Sequence, residues 1–274
     1  MNKYSIVLML GITATAVAVC SPVRSMLGSN GNEFFSEEWN PSAADYIQDG
    51  LVAMWDAEEN VGFGQHEDNP MVWKDLSGNG LDMLSNGDPV FYDKYIQPTS
   101  VRQMWHTDVT DLMDSVLQDG MVSMELVGEA VPGYQNGNKG CIFGGGNLTG
   151  NGIFITFVQT DIGRIGAWGR VGGAVAQIYG RYNPLGYVSV VSDGTSLTTR
   201  YKSQTGTFSQ SASVSTPLPS VSTKRFCIGY RYTYSGDNPS IHGEKFYCIR
   251  IYNRPLSALE IEYNYTIDKM RFGL

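Results

Sequence analysis

Short hydrophobic runs separated by turn residues make up most of the chain after residue 120. Gly, Asn-Pro or Asp-Gly interrupts these runs roughly every 8–12 residues, as in the segments NGIFITFVQT, AVAQIYGRY, RFCIGYRY and EKFYCIRIYN. Runs of this length match β-strands, and the closely spaced turns allow consecutive strands to pair in antiparallel fashion. The pattern therefore predicts an all-β fold, a β-sandwich or a barrel. Asp193-Gly194, which lies between two such runs, predicts a tight hairpin.

Two segments predict helix instead. Residues 105–119 carry apolar side chains at helical spacing, which predicts one short helix. Near the C-terminus, Pro255 interrupts the strand-like run before it, and Ser257 and Glu260 have the spacing of a helix capping box. The apolar pair of a hydrophobic staple is also present, at Leu256 and Ile261. The C-terminal segment is therefore expected to form one or two helical turns that pack against the sandwich.

The composition excludes one class of partner. The 274-residue chain has 27 acidic and 19 basic residues, which gives a formal net charge of −8. No cluster of Lys or Arg stands out, so the positively charged surface typical of nucleic-acid binders is missing. The negative charge also opposes docking on anionic lipid head groups.

Residues 1–26 differ in kind from the rest of the chain. One Lys precedes an uncharged stretch from Tyr4 to Val23, which is typical of a secretory signal peptide or a membrane anchor. Ala16 and Ala18 form a small-x-small cleavage site, whereas Cys20 offers an alternative in which the thiol is lipidated. All these interpretations predict a secreted or cell-surface protein that meets a membrane only through this segment.

The remainder divides into an arm and one domain. Residues 27–44 are polar and rich in turn residues, which predicts a linker or arm ahead of a domain at 45–274. The arm contains Phe34, Phe35 and Trp39, which are candidates for docking on a protein partner. The alternative interpretation of the arm is a solvated linker.

Three segments in this order resemble the laminin-G-like (concanavalin A-like lectin/glucanase) jelly-roll superfamily. Residues 49–83 contain GLVAMWDA followed by DLSGNG, and residues 186–204 contain the hairpin GYVSVVSDGTSLTTRYKSQ. Residues 247–265, YCIRIYNRPLSALEIEYNY, resemble the closing strand of that family. The resemblance implies an antiparallel β-sandwich jelly roll and a recognition module on a bacterial surface or a phage.

The resemblance also implies a candidate calcium site. Many members of the superfamily hold Ca²⁺ with carboxylate and amide oxygens from loops, and Asp75, Asn79 and Asp82 occupy the turn DLSGNGLD. The alternative is that these side chains satisfy the backbone of their own turn. Ca²⁺ is the one cofactor that this interpretation of the sequence predicts.

Two cysteines are candidates for a disulfide. If the runs around Cys227 and Cys248 pair in antiparallel fashion, the two residues fall nearly opposite each other. Cysteines also serve as small buried hydrophobic residues, so both interpretations stay open here.

Aromatic residues beside arginines are the candidates for ligand binding. Sugar rings stack on exposed aromatic rings, and neighbouring polar groups bind their hydroxyls. The candidate set lies in one region of the chain and consists of Trp168, Tyr179, Arg181 and Tyr182. The alternative is that these aromatics fill the core or pair across strands. Trp55 and Trp73, in contrast, are expected in the core.

No complete catalytic motif is present. The three histidines lack the spacing of a zinc site, and the chain contains no G-x-S-x-G. Retaining glycosidases need two carboxylates about 5 Å apart, and Glu125 and Glu129 have the spacing that places them on one face of a strand. Gly128 between them indicates a bulge or strand end, and the favoured interpretation is two solvated acids on an exposed face.

These observations predict a non-enzymatic extracellular recognition module that binds glycan or mediates adhesion. The first alternative is a structural or decorating protein of a cell surface or virion that binds a protein neighbour. The second alternative is a glycoside hydrolase of the same fold. The functional step depends on analogy of fold, so the site itself has to decide between them.

Overall fold

The computed structural model describes residues 40–60, 72–85, 90–97, 105–129, 142–146, 152–159, 165–180, 185–216, 225–228, 230–231, 238–239 and 244–274. All of them belong to one compact unit, Asn40–Leu274. The predictions for residues 1–26 and for the arm up to Trp39 lie outside these residues. Within the described ranges, no helix has the length and apolar character needed to cross a membrane.

Two antiparallel sheets account for nearly all described strands. Sheet A contains β1 (Leu51–Asp56), β4 (Val90–Phe91), β5 (Ile96–Gln97), β7 (Met121–Glu129), β12 (Leu185–Asp193), β13 (Ser196–Ser203), β14 (Gly206–Ser213) and β18 (Lys245–Tyr252). Sheet B contains β2 (Val72–Trp73), β3 (Met83–Ser85), β6 (Trp105–Asp108), β8 (Ile142–Gly146), β9 (Gly152–Gln159), β10 (Ile165–Gly172), β11 (Ala174–Gly180) and β15 (Arg225–Ile228). A two-stranded sheet pairs β16 (Tyr230–Arg231) with β17 (Asn238–Pro239).

The strand order brings together segments that are distant in sequence. Sheet A has the order β14-β13-β12-β7-β18-β5-β4, and β1 also pairs with β18. Sheet B has the order β11-β10-β9-β8-β15-β6-β3-β2. Two α-helices, α1 (Thr110–Asp119) and α2 (Ala258–Phe272), and the 3₁₀ helix η1 (Ala43–Asp45) complete the described elements. The predicted all-β antiparallel sandwich is confirmed.

The main core lies between the two sheets. Alternate residues of β7, such as Met124 and Leu126, are fully buried and pack with Ile153, Ile155 and Ala167 of sheet B. Trp55 and Trp73 are also fully buried, as expected. This arrangement leaves each sheet with an outer face, directed away from the other sheet.

The predicted Asp193-Gly194 hairpin is confirmed. It joins β12 to β13, with Tyr187 opposite Lys202 and Ser192 opposite Leu197. Gly194 has a φ of 85°, and a Cβ at this position would lie 2.5 Å from the carbonyl oxygen of Asp119. The Asp193 carboxylate accepts hydrogen bonds from the backbone of Ser196 and from Thr195, and these bonds lower its pKa to about 2.

The two predicted helices are present with different bounds. In the 105–119 segment the first four residues form β6, and α1 begins at Thr110. At the C-terminus the capping box of Ser257 and Glu260 is formed, and the staple residues Leu256 and Ile261 are both buried. However, α2 extends over 15 residues rather than one or two turns. The extra turns are held by buried residues that are mostly polar: Asn264, Ile267, Asp268, Arg271 and Phe272.

The predicted disulfide between Cys227 and Cys248 is wrong. The prediction assumed that their strands pair, but β15, which contains Cys227, pairs with β6 and β8 in sheet B. Cys248 lies on β18 in sheet A, opposite Val127 of β7 and Asp56 of β1. Its thiol is free and buried, and it accepts a hydrogen bond from Arg250.

We expect Ser257→Ala to lower the free energy of unfolding by about 1 kcal/mol, because it removes the side-chain acceptor that caps α2. Urea denaturation of the purified protein measures this change. Ser213→Ala, at an exposed position of β14, is the control and should change stability by less than about 0.5 kcal/mol. Equal effects of the two substitutions would argue against a stabilising cap.

The same cap predicts a dependence on acid. Hydrogen bonds from Arg254 and from the Ser257 backbone lower the pKa of Glu260 from 4.5 to about 2, against an opposing effect of burial. A depressed pKa gives stability that is present above the unfolded-state value and lost as the pH falls towards the folded-state value. We therefore expect Glu260→Gln to lose less unfolding free energy than the parent protein between about pH 5 and pH 2. Parallel pH profiles in urea denaturation would contradict this.

Candidate functional site

The two candidate catalytic carboxylates share the outer face of β7, as their spacing predicts. Glu129 is partly exposed, and its carboxylate lies 3.0 Å from Lys245 Nζ and 3.0 Å from the hydroxyl of Tyr247. Glu125, in contrast, has no exposed surface. A bulge in β18 at Tyr247, opposite Gly128 and Val127, interrupts the register between the two glutamates. The expectation of two solvated acids is therefore wrong for Glu125.

Glu125 is buried because helix α2 covers it. Its Oε2 accepts hydrogen bonds from Arg250 Nε at 2.7 Å and from Asn264 Nδ2 at 2.8 Å, and its Oε1 accepts one from the hydroxyl of Tyr187. Burial raises the pKa of Glu125, and the neighbouring Arg250 partly counters this. Burial, followed by the Glu125 carboxylate, also raises the pKa of Tyr187 well above its ordinary value.

Arg250 joins the sheet to the helix. Its Nε binds Glu125 on β7, while Nη1 and Nη2 bind the two carboxylate oxygens of Asp268 on α2 at 2.9 and 2.5 Å. The guanidinium also lies 4.0 Å from the ring centre of Tyr46, whose hydroxyl donates to Asp268 at 2.6 Å. Each nitrogen of the Arg250 guanidinium thus donates to a buried carboxylate.

A second arginine extends this network to β1. Arg271 binds the carboxylate of Asp56 through Nη1 at 2.6 Å and Nη2 at 3.1 Å, and both side chains are almost fully buried. Glu58 and Glu59 lie at its rim, 3.2 and 3.0 Å from Nη2. We call the buried set the helix network; its charged members are Asp56, Glu125, Arg250, Asp268 and Arg271.

The helix network is a structural site in the described part of the chain. Three carboxylates and two guanidiniums are taken out of water there, and buried charges are retained only when each has close partners. The carboxylate oxygens of Glu125 and Asp268 accept hydrogen bonds from Arg250, Asn264 and Tyr46. Sequence reasoning missed this network, because its members are polar residues far apart in the chain.

The three calcium candidates lie together in the turn between β2 and β3, but their groups bind the protein itself. Asp75 accepts hydrogen bonds from the backbone of Met54 and Leu81 and from Ser77. Asp82 accepts from the backbone of Asp75 and pairs with Lys74, and Asn79 Nδ2 donates to the carbonyl of Val52. Among the described residues, no group of three or more His, Cys, Asp or Glu is placed to hold a metal ion. Calcium binding stays a prediction.

The aromatic candidates fall on the hairpin at the β11 edge of sheet B. Trp168 pairs with Gln177, and Gly166 pairs with Tyr179, so positions 168 and 179 are diagonal neighbours on adjacent strands. Positions 168, 177 and 179 share the outer face by strand alternation, and Gln177 is exposed there. The intervening residues belong to the core between the sheets: Ala167, Val171, Ala176 and Ile178. Arg181 and Tyr182 lie outside the described residues.

Comparison with known proteins supports the fold and leaves the family open. No family model and no curated protein matches the chain. The receptor binding domain of botulinum neurotoxin C/D mosaic serotype is similar in structure, with a TM-score of 0.55 at 12% identity over 80% of this chain and 52% of that chain. Trypanosoma rangeli sialidase in complex with sialic acid gives a TM-score of 0.55 at 13% identity over 85% of this chain and 34% of that chain.

Both similar structures contain more than this chain covers. The chain spans about half of the toxin domain and about a third of the sialidase. At these identities the likeness shows a β-sandwich fold, and membership of the laminin-G-like superfamily stays a prediction.

Two ion pairs join β18 to β7, and the helix network predicts that removing them lowers the free energy of unfolding by very different amounts. We expect Arg250→Met to lower the free energy of unfolding by about 3–5 kcal/mol, because Glu125 and Asp268 would lose their shared buried cation. Lys245→Met removes the partly exposed partner of Glu129 and should cost less than about 1 kcal/mol. Urea denaturation at neutral pH compares the two. A small loss for both variants would show that the buried pairing is not what holds α2.

Proposed function

We propose that the protein is a non-enzymatic extracellular recognition module that binds glycan. The observation that carries this proposal is the edge hairpin of β10 and β11, which brings positions 168 and 179 to one outer face beside the exposed Gln177. Aromatic and amide groups on a solvent-facing sheet are the combination that binds a sugar ring and its hydroxyls. The two similar structures, a toxin receptor-binding domain and a sialidase bound to sialic acid, support this only by analogy of fold.

The burial and pairing of the two candidate carboxylates, Glu125 and Glu129, support the non-enzymatic part of the proposal. A glycosidase needs two carboxyl groups that reach the scissile bond. Glu125 has no exposed surface and binds Arg250, and Glu129 is paired with Lys245. A hydrolytic role for this pair would require α2 to leave the sheet and the buried ion pairs to break.

A glycan array with the purified protein tests the proposal. We expect specific binding to one class of glycan, and we expect Trp168→Ala and Tyr179→Ala each to weaken it by about tenfold or more, since a central aromatic contact typically contributes about 2 kcal/mol. Tyr92→Ala, an aromatic substitution at a position that is 41% exposed in the turn between β4 and β5 of the other sheet, is the matched control. It should leave binding unchanged.

The array also separates the alternatives. Each measurement is made with Ca²⁺ and with a chelator, and loss on chelation would support the calcium prediction at Asp75, Asn79 and Asp82. A blank array under both conditions would remove the glycan proposal for the sugars tested. The alternative of a structural or decorating surface protein, bound to a protein neighbour, would then take its place.

A further inference from the structure

The part of sheet A that α2 leaves uncovered carries a regular set of hydroxyl groups. On β13, Leu197, Thr199 and Tyr201 are fully buried, and on β14, Phe208 and Ala212 pack against the core. The alternate residues of both strands therefore occupy the outer face. We call this the hydroxyl face, and its residues are Ser196, Thr198, Thr207, Ser209, Ser211 and Ser213.

Arg200 lies in the middle of the hydroxyl face. It pairs with Ser209 on one side and with Ser189 of β12 on the other. Its side chain is partly exposed, and no described residue forms a hydrogen bond or ion pair with it. Three other arginines of the described part are each paired with a carboxylate: Arg250, Arg254 and Arg271.

A second polar group beside Arg200 also lacks a partner in the described part of the chain. Ser189 is fully buried, and no described residue forms a hydrogen bond with its Oγ. It belongs to the outer face because Val188 and Val190 belong to the core. A buried hydroxyl of this kind is uncommon in proteins and calls for an explanation. Ser189 lies directly opposite Arg200 on the adjacent strand, so the buried hydroxyl and the guanidinium are neighbours on the outer face of sheet A.

Helix α2 sets the boundary of this place. The next outward residue on β13, Lys202, is buried against α2, where it pairs with Glu262 and lies 4.6 Å from the ring centre of Tyr265. The positive charge of Lys202 is therefore already compensated. Arg200, one step further from the helix, retains its charge for a ligand.

We propose that the hydroxyl face binds an anionic group carried on a glycan, with Arg200 as the residue that binds the anion. A planar guanidinium matches a carboxylate or a sulfate with two parallel hydrogen bonds. Ser209 flanks Arg200, as do Thr198 and Ser211, whose hydroxyls bond each other at 2.9 Å. The Ser209 hydroxyl and the remaining donor and acceptor capacity of that pair are the groups for sugar hydroxyls. The inference rests on the proposed glycan-binding function and adds a site on sheet A with a stated ligand class, an acidic glycan.

The net charge of the protein favours this local interpretation. A chain of formal charge −8 repels polyanions over most of its surface, and at about 0.15 M salt such long-range effects are screened beyond about 8 Å. Binding of an anionic polymer under those conditions therefore requires a specific contact rather than general attraction.

Three polymers on one glucan backbone test the proposal: neutral dextran, carboxymethyl dextran and dextran sulfate. Affinity of the full-length protein for each is measured by calorimetry at about 0.15 M salt. Arg200→Gln removes the proposed contact, and Arg200→Lys keeps its charge but not its planar fork. Lys269→Gln, at an exposed position of α2, removes the same charge away from the face and is the matched control.

We expect one or both anionic dextrans to bind and neutral dextran not to bind. Arg200→Gln should weaken binding by about tenfold or more, Arg200→Lys should weaken it less, and Lys269→Gln should change it less than about twofold. Preference for one anionic dextran would identify a carboxylate or a sulfate as the ligand group. Equal effects of Arg200→Gln and Lys269→Gln, or failure of both anionic dextrans to bind, would overturn the proposal.

The glycan array distinguishes this failure from failure of the proposed function. Array binding confined to neutral glycans and unaffected by Arg200→Gln would overturn the anion site and leave glycan recognition intact. Conversely, Arg200-dependent binding of the anionic dextrans with a blank array would support the anion site and remove the broader proposal for the glycans on the array.

Discussion

The contact of Arg250 with Glu125 and Asp268 determines much of the outer surface of this protein. One guanidinium binds a carboxylate on the sheet and a carboxylate on the helix, and all three groups are fully buried. Such an arrangement stabilises the structure only while both partners are in place, because each remaining charge would otherwise be desolvated without compensation. Helix α2 is consequently fixed over β18, β7 and part of β12, and the outer face of sheet A is divided into a covered and an uncovered region.

This division explains why residues of the same type have different chemical roles. Glu125 has the sequence spacing of a catalytic acid on a strand, yet α2 covers it, and its carboxylate binds Arg250 within the buried helix network. Arg250 and Arg200 lie in one row across sheet A, linked by Glu125 and Ser189. Arg250 is fully compensated, whereas Arg200, beyond the edge of the helix, is not. The position of α2 rather than residue type therefore decides which of these two charges is paired within the described part of the protein.

The sequence predicted those features that depend on neighbours along the chain. The Asp193-Gly194 hairpin and the capping box of Ser257 and Glu260 each need only three or four consecutive residues, and both are confirmed. The all-β class follows from the same local periodicity. The burial of Trp55 and Trp73 also agrees with their place in the opening strand motif.

The helix network was beyond sequence reasoning, because its contacts span 125 residues from Glu125 to Arg250 and 215 from Asp56 to Arg271. The length of α2 was underestimated for the same reason, since buried polar residues, Asn264, Asp268 and Arg271, hold its later turns together with the apolar Ile267 and Phe272. The candidate disulfide required the runs around Cys227 and Cys248 to pair, but β15 and β18 enter different sheets, and Cys248 is a free buried thiol.

The two outer faces present different chemistry, and this bears on how a glycan would be recognised. Sheet B places aromatic positions at its edge hairpin, which suits the apolar face of a sugar ring, and sheet A offers hydroxyl groups around one uncompensated cation. Lys202 is paired with Glu262 and lies over the ring of Tyr265, so among the described residues Arg200 is the one uncompensated cation of the hydroxyl face. A single guanidinium discriminates best between ligands that carry an anionic group at one defined place and ligands that carry none. If both proposed sites bind glycan, sheet A would select for charge, and sheet B would contribute affinity that is independent of charge.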